Sequence, residues 1–255
     1  MQQKVKKILD GLVGTISKWN GVAAVVLGEV AKVETYDPYF NIDLDVYFRG
    51  DPLPSNDRRE KFDHPGGFET SPLYPIDRFL VEELPVSVHY KDVSRMSLLV
   101  KRVEQQSWVF RSESTHLMYR IRNGQVLYSR GKWFEQLKQR LESIPDGFWK
   151  SIMEAARFSL DHYLNGMGAA VYRADNLYYQ ISASGFCQSL CSYVFALNRC
   201  LEPTGRLLHD HIKELKTLPD EFLGRFESFI RPDAELLPER KYEVAKLLAK
   251  SIGFA

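Results

Sequence analysis

Two aspartates, Asp43 and Asp45, carry the clearest chemical signal in the sequence. They lie in residues 41–48, where apolar and polar side chains alternate as they do in a β-strand. Because strand side chains have a period of two, both carboxylates project from one face of the strand. Adjacent carboxylates repel each other unless a cation neutralises them, and Mg²⁺ commonly binds such groups together with substrate phosphates. The spacing therefore predicts a site for a divalent cation and phosphate groups.

An Asp-x-Asp pair has a second interpretation, because exposed edge strands also carry acidic residues as solubilising charge. The side chains that alternate with the aspartates are apolar enough to bury the strand, and buried carboxylates need partners. Upstream, the apolar run Val22–Leu27 ends in Gly28 and Glu29. A buried strand, a glycine turn and an acidic strand favour the cation site. An unrelated α/β protein with a surface pair of aspartates is the alternative.

With these motifs the chain resembles the nucleotidyltransferase superfamily that includes the aminoglycoside nucleotidyltransferases. The signature of that superfamily is a hydrophobic strand, Gly-Gly or Gly-Ser, a spacer, and an acidic-x-acidic strand. Here Gly28-Glu29 is followed by thirteen residues and then by Asp43-Leu44-Asp45. Three later segments are also similar: 86–90, like the strand that usually supplies a third carboxylate; 123–129, like the end of the catalytic domain; and 195–199, like the helical domain.

The resemblance implies nucleotidyl transfer, in which a nucleoside monophosphate passes from a Mg²⁺-bound nucleoside triphosphate, ATP by first preference, to a hydroxyl group. The acceptor would be a small molecule or a protein. Asp43 and Asp45 would hold the Mg²⁺, and Asp175 would be the general base if it reaches the acceptor hydroxyl. The residues that would bind the nucleotide are Gly28, Glu29, Ser87 and Lys91, with Lys91 neutralising the departing pyrophosphate.

Two positions depart from the pattern of the superfamily. Glu29 stands where the superfamily has Ser or Gly, and a carboxylate there repels phosphates unless it turns away or binds a cation. Ser87 stands where a third carboxylate is usual, and His89, two residues on, suits softer metals such as zinc. An acid from the connecting loop, Glu29, Glu34 or Asp37, is one replacement. The alternative is a catalytically degenerate protein that binds nucleotide or acts as a regulatory, antitoxin-like partner.

The pattern of elements predicts an α+β fold with two domains. A nucleotidyltransferase-like mixed sheet with helices is expected over residues 1–130, and an all-α helical bundle over residues 131–255. A Pro/Gly-rich stretch at 50–75 predicts either a functional loop or a disordered insertion. The strands predicted in the first domain are 22–27, 42–48, 86–90 and 125–128, and its helices are 5–19, 76–83 and 92–120.

Strand signals end near residue 131, and the rest of the chain predicts helices. Asp146 can cap a helix that ends at Asn165-Gly166. A second long helix, over residues 168–199, contains Asp175. Shorter helices are predicted over 204–216, 219–230 and 238–252.

Composition narrows the class of partner. The chain of 255 residues has 34 basic and 33 acidic residues, and its net charge of +1 disfavours the binding of long nucleic acids. The three cysteines match no zinc spacing and favour reduced thiols in the cytoplasm. No apolar run approaches the roughly 20 residues of a membrane span or forms the core of a signal peptide. We therefore expect a cytoplasmic protein, monomeric or homodimeric, that binds a nucleoside triphosphate.

Overall fold

The computed structural model describes residues 2–28, 41–62, 65–71, 75–105, 115–232 and 237–253. The chain forms two compact units. The first contains Met1–Gln105 and Leu117–Ile144, and the second contains Gln106–His116 and Pro145–Ala255. That the chain divides into two domains between residues 130 and 131 stays a prediction.

The first unit is a mixed β-sheet with helices. Its elements are α1 Gln2–Ile16, β1 Val22–Leu27, β2 Ile42–Phe48, α2 Ser55–Lys61, β3 Gly66–Thr70, β4 Ile76–Val81, β5 Leu84–Asp92, α3 Val93–Glu104, α4 His116–Asn123, β6 Gln125–Ser129 and α5 Trp133–Arg140. The six strands follow the order β3-β4-β5-β2-β1-β6. The central strands β2 and β5 run parallel, and the other neighbouring pairs are antiparallel.

One face of this sheet belongs to an apolar core that includes α1. On β2 the side chains of Ile42, Leu44 and Val46 are at most 2% exposed. They belong to the same core cluster as Leu12 and Ile16 of α1. Burying side chains of this size stabilises a fold by about 1.5–3 kcal/mol each. Because strand side chains alternate, the aspartates between them face the other side of the sheet.

The segment 76–83, predicted as a short helix, is instead a strand followed by a turn. β4 alternates buried and less buried side chains, with Asp77 and Phe79 buried. The carboxylate of Asp77 is enclosed because Arg58 of α2 donates two hydrogen bonds to it, from Nε at 2.7 Å and Nη2 at 2.8 Å. The helix prediction is wrong because the partner that allows a carboxylate inside this strand lies 19 residues away.

Two other stretches of the first unit contain more elements than the sequence predicts. The Pro/Gly-rich segment 50–75 contains α2 and β3, and its residues 63–64 and 72–74 lie outside the described residues. The single helix predicted over 92–120 is replaced by α3 and α4, and residues 106–114 between them lie outside the described part of the chain. The short edge strand predicted after α4 is confirmed, because β6 lies at one end of the strand order.

From residue 145 onward the described chain is helical. Its elements are α6 Asp146–Tyr172, α7 Asn176–Leu197, α8 Leu208–Lys213, α9 Phe222–Ile230 and α10 Pro238–Ser251. A mixed sheet followed by a helical region confirms the predicted α+β class. Within the described ranges, none of the helices has both the length and the hydropathy needed to cross a bilayer.

The helix break predicted at Asn165-Gly166 is wrong, because α6 continues through it. Gly166 has a packing role instead, since a Cβ atom there would lie 2.7 Å from Oγ of Ser182 on α7. The missing side chain lets the two helices approach closely. The helix ends instead at Tyr172. Asp175 then caps α7 by accepting a hydrogen bond from the backbone N of Tyr178 at 2.9 Å.

Candidate functional site

The face of the central strands opposite the α1 core brings together most of the predicted site residues. In the parallel register of β2 and β5, each side chain on this face has a neighbour on the adjacent strand. The neighbouring pairs are Asp43 with Ser87, Asp45 with His89 and Tyr47 with Lys91. The strand alternation that buries the apolar residues on one side thus aligns two columns of polar side chains on the other.

Asp45 is the centre of a buried charge cluster. Its carboxylate is 0% exposed and accepts two hydrogen bonds from Arg120 of α4, from Nε to Oδ2 and from Nη2 to Oδ1, both at 2.8 Å. The ammonium group of Lys91 lies 2.8 Å from Oδ2 of the same carboxylate. Such a two-pronged contact between arginine and a carboxylate is among the stronger and more directional ion pairs in proteins. Both oxygens of Asp45 are therefore engaged by cationic side chains.

Burial and neighbouring charges shift the pKa values of the groups in this cluster. Burial alone raises the pKa of the Asp45 carboxyl, but the charges and hydrogen bonds of Lys91 and Arg120 outweigh burial and hold that pKa below its ordinary 3.8. Burial lowers the pKa of Lys91 below its ordinary 10.5, and the charge of Arg120 adds to this while Asp45 opposes it. The carboxylate of Asp45 is thus shared by the side chains of Lys91 and Arg120.

Asp43 has a different environment two residues earlier on the same strand. Its side chain is 29% exposed, and its Oδ1 accepts a hydrogen bond from Nδ2 of Asn41 at 2.7 Å. The same amide donates to Oγ of Ser87 at 2.9 Å, so Asn41 joins the two residues. Nε2 of His89 lies 3.5 Å from Oδ1 of Asp43. Asp43 is therefore held in position at a surface that a ligand can reach.

Gly28 lies against the same arginine that binds Asp45. The backbone N of Gly28 donates a hydrogen bond to the carbonyl oxygen of Asp43 at 2.8 Å. A Cβ atom at Gly28 would lie 2.6 Å from Nη2 of Arg120, so glycine is required for this close approach. The second residue of the turn, Glu29, lies outside the described residues, as do Glu34 and Asp37.

Asp175 belongs to the second unit, where it is the N-cap of α7. Its carboxylate accepts a hydrogen bond from the backbone N of Tyr178, which is a sufficient structural reason for an aspartate at this position. Its role as a general base stays a prediction, and so do the ligand roles of the residues in the first unit.

Sequence reasoning missed Arg120 and Asn41, the two residues that organise this face. The signal for Arg120 is indirect: a carboxylate inside an apolar strand needs a cation, and no cation lies near Asp45 in β2 itself. The signal for Asn41 is its place directly before the strand, from which its amide reaches both Asp43 and Ser87. Arg120 reaches β2 from α4, and Asn41 reaches Ser87 on β5.

The cluster tests whether Mg²⁺ fits the predicted pair of carboxylates. A Mg²⁺ ion needs carboxylate oxygens that it can reach, and both oxygens of Asp45 are bound by Arg120 and Lys91. The arrangement does not fit an ion held by Asp43 and Asp45 together. Among the described residues no group of three or more His, Cys, Asp or Glu side chains could hold a metal. Of the two aspartates, Asp43 is the one whose carboxylate a ligand can reach.

Comparisons with known proteins found one family model and several similar solved structures. A family model described as a domain of unknown function, DUF4037, matches residues 110–218. No functionally characterised protein in the curated comparison matches the chain. The chain is similar to a solved nucleotidyltransferase-like protein from Exiguobacterium sibiricum 255-15, with 9% identity, a TM-score of 0.48, and coverage of 97% of this chain and 74% of that one.

A second similar structure is the spectinomycin adenyltransferase AAD(9) from Enterococcus faecialis with ATP and spectinomycin. It shares 13% identity and a TM-score of 0.40, and each chain is covered over 100% of its length. By name, the first structure is a nucleotidyltransferase-like protein and the second is an adenyltransferase. Because both TM-scores are below 0.5, we infer function only from the residues of this chain.

Proposed function

We propose that this nucleotidyltransferase-like chain binds a nucleoside triphosphate through one divalent cation held at Asp43. Among the nucleoside triphosphates, ATP is the one we expect first. In this proposal Asp45 is a structural charge and the site is catalytically degenerate. The observation that supports it is the contrast between the two aspartates: Asp43 is 29% exposed, whereas Asp45 is fully buried with both oxygens bound by cations. The nucleotide phosphates would then lie near Gly28, Ser87 and Lys91.

The energetics of Asp45 argue against its use as a second metal ligand. Releasing Asp45 to a metal would leave the buried side chains of Arg120 and Lys91 without their counter-ion. Breaking one partner out of a buried ion pair costs about 3–5 kcal/mol, because the other charge stays buried and uncompensated. A single ion at Asp43 avoids that cost, and Mg²⁺ is often bound by only one or two carboxylates when phosphates complete its shell.

Nucleotidyl transfer to a hydroxyl group of a small molecule or a protein is the second candidate function. The observation in its favour is that the Asp-x-Asp pair keeps both carboxylates on one face of β2, as transfer requires. For transfer, the nucleotide and its cations would have to take Asp45 from Arg120. Lys91 would then be free to neutralise the departing pyrophosphate, and an acceptor base, for which Asp175 stays the prediction, would be needed.

Calorimetric titration of the full chain with ATP and GTP tests the first proposal, in Mg²⁺ and in EDTA. We expect binding in Mg²⁺ that falls at least roughly tenfold in Asp43→Asn, the usual effect of a disturbed metal site. Asp51→Asn is the matched control, because it makes the same change at an exposed aspartate beyond the end of β2. Equal binding by wild type and Asp43→Asn would contradict the proposal.

Release of pyrophosphate separates the two candidate functions. Wild-type chain incubated with Mg²⁺-ATP and a mixture of hydroxylated small molecules and proteins should release no more pyrophosphate than protein-free samples if the site is degenerate. Pyrophosphate release that disappears in Asp45→Asn, with the variant shown to be folded by circular dichroism, would instead establish nucleotidyl transfer.

A further inference from the structure

We propose that the outer face of the hairpin formed by α6 and α7 is a docking surface for a second copy of this chain. We define this outer face by five apolar side chains on the two helices: Phe158, Tyr172, Leu177, Tyr178 and Ile181. All five belong to the second unit. No residue of this face takes part in the proposed nucleotide site.

The side chains of the outer face are far more exposed than their apolar character favours. Tyr172 is 92% exposed, Phe158 81% and Leu177 73%. Single apolar side chains at a surface are common, whereas a contiguous apolar patch of several hundred Å² marks a site of interaction. Because one aromatic side chain covers about 150–250 Å², this face offers on the order of 500 Å² of apolar area. The face is therefore large enough to bind a partner.

Helical spacing arranges these residues in two stripes. On α6, Tyr172 lies fourteen residues after Phe158, which is close to four full turns of the helix. On α7, Ile181 lies four residues after Leu177, so that the two side chains are neighbours on the helix surface. Each helix therefore carries its exposed apolar side chains along one side.

Packing within the second unit places the two stripes next to each other. The side chains of Leu160 on α6 and Phe186 on α7 are fully buried in one common core. The helices also approach each other closely, since a Cβ atom at Gly166 would lie 2.7 Å from Oγ of Ser182. Because both helices turn one side to the same core and a second side to each other, their sides opposite the core form one continuous outer face.

The outer face is almost free of charge. α7 contains no Asp, Glu, Lys, Arg or His over Asn176–Leu197, and residues 162–172 of α6 contain no Asp, Glu, Lys or Arg. Helices whose outer side faces water usually carry charged side chains there. Depletion of charge together with aromatic side chains is instead the composition of the centre of a protein–protein interface. Arg173 and Asp175, in the turn between the helices, are exposed and suit the polar rim of such an interface.

The lack of charge favours a second copy as the partner. In a two-fold symmetric contact the same patch meets itself, so a charged side chain near the axis would face its own equivalent and repel it. An uncharged patch avoids this repulsion, and the net charge of +1 leaves little long-range repulsion between whole chains. About 500 Å² is also roughly the apolar share of the 800 Å² that each partner buries in a standard interface. Two hairpins packed in this way would form a four-helix arrangement.

Sedimentation velocity of the full chain, from roughly 0.1 to 100 μM, tests the docking surface. We expect a dimer at the upper end of this range. Ile181→Glu and Leu177→Glu should each raise the dissociation constant of the dimer at least roughly tenfold, because each puts one charge from each copy into the desolvated contact. Leu98→Glu is the matched control, since it makes the same change at a leucine of α3 that is 49% exposed. Circular dichroism of each variant verifies that the chain is folded.

Cross-linking provides a second readout that does not depend on losing an interaction. A two-fold axis through the outer face brings some of its positions close to their own equivalents in the second copy. At least one of Tyr172→Cys, Leu177→Cys and Ile181→Cys should therefore form a disulfide between two copies when the thiols are oxidised with copper phenanthroline. The product has twice the mass of the chain in the absence of reducing agent. Wild type, which contains the three native cysteines, and Leu98→Cys are the controls and should not be cross-linked.

The outcomes decide between a second copy and other partners. A dimer that Ile181→Glu weakens and Leu98→Glu does not supports the docking surface. A chain that stays monomeric over the whole range, or a dimer that Ile181→Glu and Leu177→Glu leave unchanged, overturns it. Co-sedimentation of a monomeric chain with phosphatidylcholine vesicles, lost in Ile181→Glu, would also overturn it and assign the face to a lipid surface. ATP binding enters none of these measurements, so the proposed function is tested separately.

Discussion

Arg120 and Asp45 are joined by two hydrogen bonds of 2.8 Å, although 75 residues separate them in the sequence. The contact attaches α4 to the central strand β2 and leaves neither oxygen of Asp45 free. Two aspartates that look equivalent in the sequence therefore have different environments: Asp45 joins β2 to α4, whereas the side chain of Asp43 is partly exposed.

Asp45→Asn is expected to destabilise the first unit far more than Asp43→Asn. The change leaves Arg120 and Lys91 buried beside a neutral amide, which costs about 3–5 kcal/mol, whereas the partly exposed Asp43 should cost about 1 kcal/mol or less. Urea unfolding followed by circular dichroism measures both. Asp43→Asn is the control, because it makes the same chemical change two residues away on the same strand. Equal free energies of unfolding in the two variants would contradict a structural role for Asp45.

The loss of folding stability at acidic pH should depend on Asp45. Because its pKa is depressed in the folded state, its contribution is present above the ordinary value of 3.8 and is lost as pH falls through the lower folded pKa. Urea midpoints measured from pH 6 down to about pH 2, the range in which such carboxylates titrate, should fall more steeply in wild type than in Asp45→Asn. Parallel slopes in the two proteins would show that other carboxylates control acid unfolding.

A buried glutamate predicts the opposite pH dependence in the second unit. Burial raises the pKa of Glu202 from 4.5 to about 7, against weaker hydrogen bonds from Ser192 and from Thr115. The folded state holds the proton longer than the unfolded state, so stability decreases as pH rises from 4.5 to about 7 and is then constant.

Glu202→Gln should remove this dependence and raise stability at pH 8 by up to about 3 kcal/mol, since each pKa unit is worth about 1.4 kcal/mol. Melting temperatures at pH 5 and pH 8 provide the measurement. Glu214→Gln is the control, because the side chain of Glu214 is 71% exposed. A wild-type protein that is more stable at pH 8 than at pH 5, with no effect of Glu202→Gln, would rule out this role for the glutamate.

Tyr47→Phe should leave the free energy of unfolding unchanged or raise it by up to about 1 kcal/mol, because the lost hydroxyl is a buried polar group. That hydroxyl has no hydrogen-bond partner among the described residues, and the ring packs 5.0 Å from the ring of Phe134. Tyr90→Phe is the contrasting variant, since the hydroxyl of Tyr90 donates to Oδ2 of Asp77 at 2.8 Å. A hydrogen bond to a charged group contributes about 1.5–3 kcal/mol, so Tyr90→Phe should destabilise the chain. Urea unfolding measures the free energy of unfolding of both variants. If Tyr47→Phe lowers that free energy as much as Tyr90→Phe does, the hydroxyl of Tyr47 has a stabilising partner and the prediction is wrong.

Local patterns predict the elements that hold the site. β1 and β2 lie at 22–27 and 42–48 as predicted, because alternation and apolar runs are properties of adjacent residues. The same alternation correctly places both aspartates of β2 on the face opposite Ile42, Leu44 and Val46. These features require no knowledge of the rest of the chain.

Features that depend on distant partners could not be predicted. Asp77 is buried in β4 because its counter-ion is Arg58, and the glycine at position 166 of α6 is explained by the close approach of Ser182 on the next helix. The partners of Asp45 are the same kind of feature, because nothing near β2 identifies Arg120. Sequence patterns therefore located the polar face but did not show that Asp45 is buried in an ion pair while Asp43 is partly exposed.

The order in which the chain is synthesised gives the contact between Asp45 and Arg120 a further consequence. All residues of β1 to β5 leave the ribosome before Arg120 does, so a nascent or truncated chain that ends before α4 has no arginine for the carboxylate at the centre of its sheet. Contacts between residues this far apart in the chain form slowly, because a long loop must close first. In fragments shorter than about 120 residues Lys91 is the remaining partner of Asp45, and Oδ1 of the buried carboxylate lacks the hydrogen bond from Arg120. Such fragments are the forms most exposed to aggregation and proteolysis.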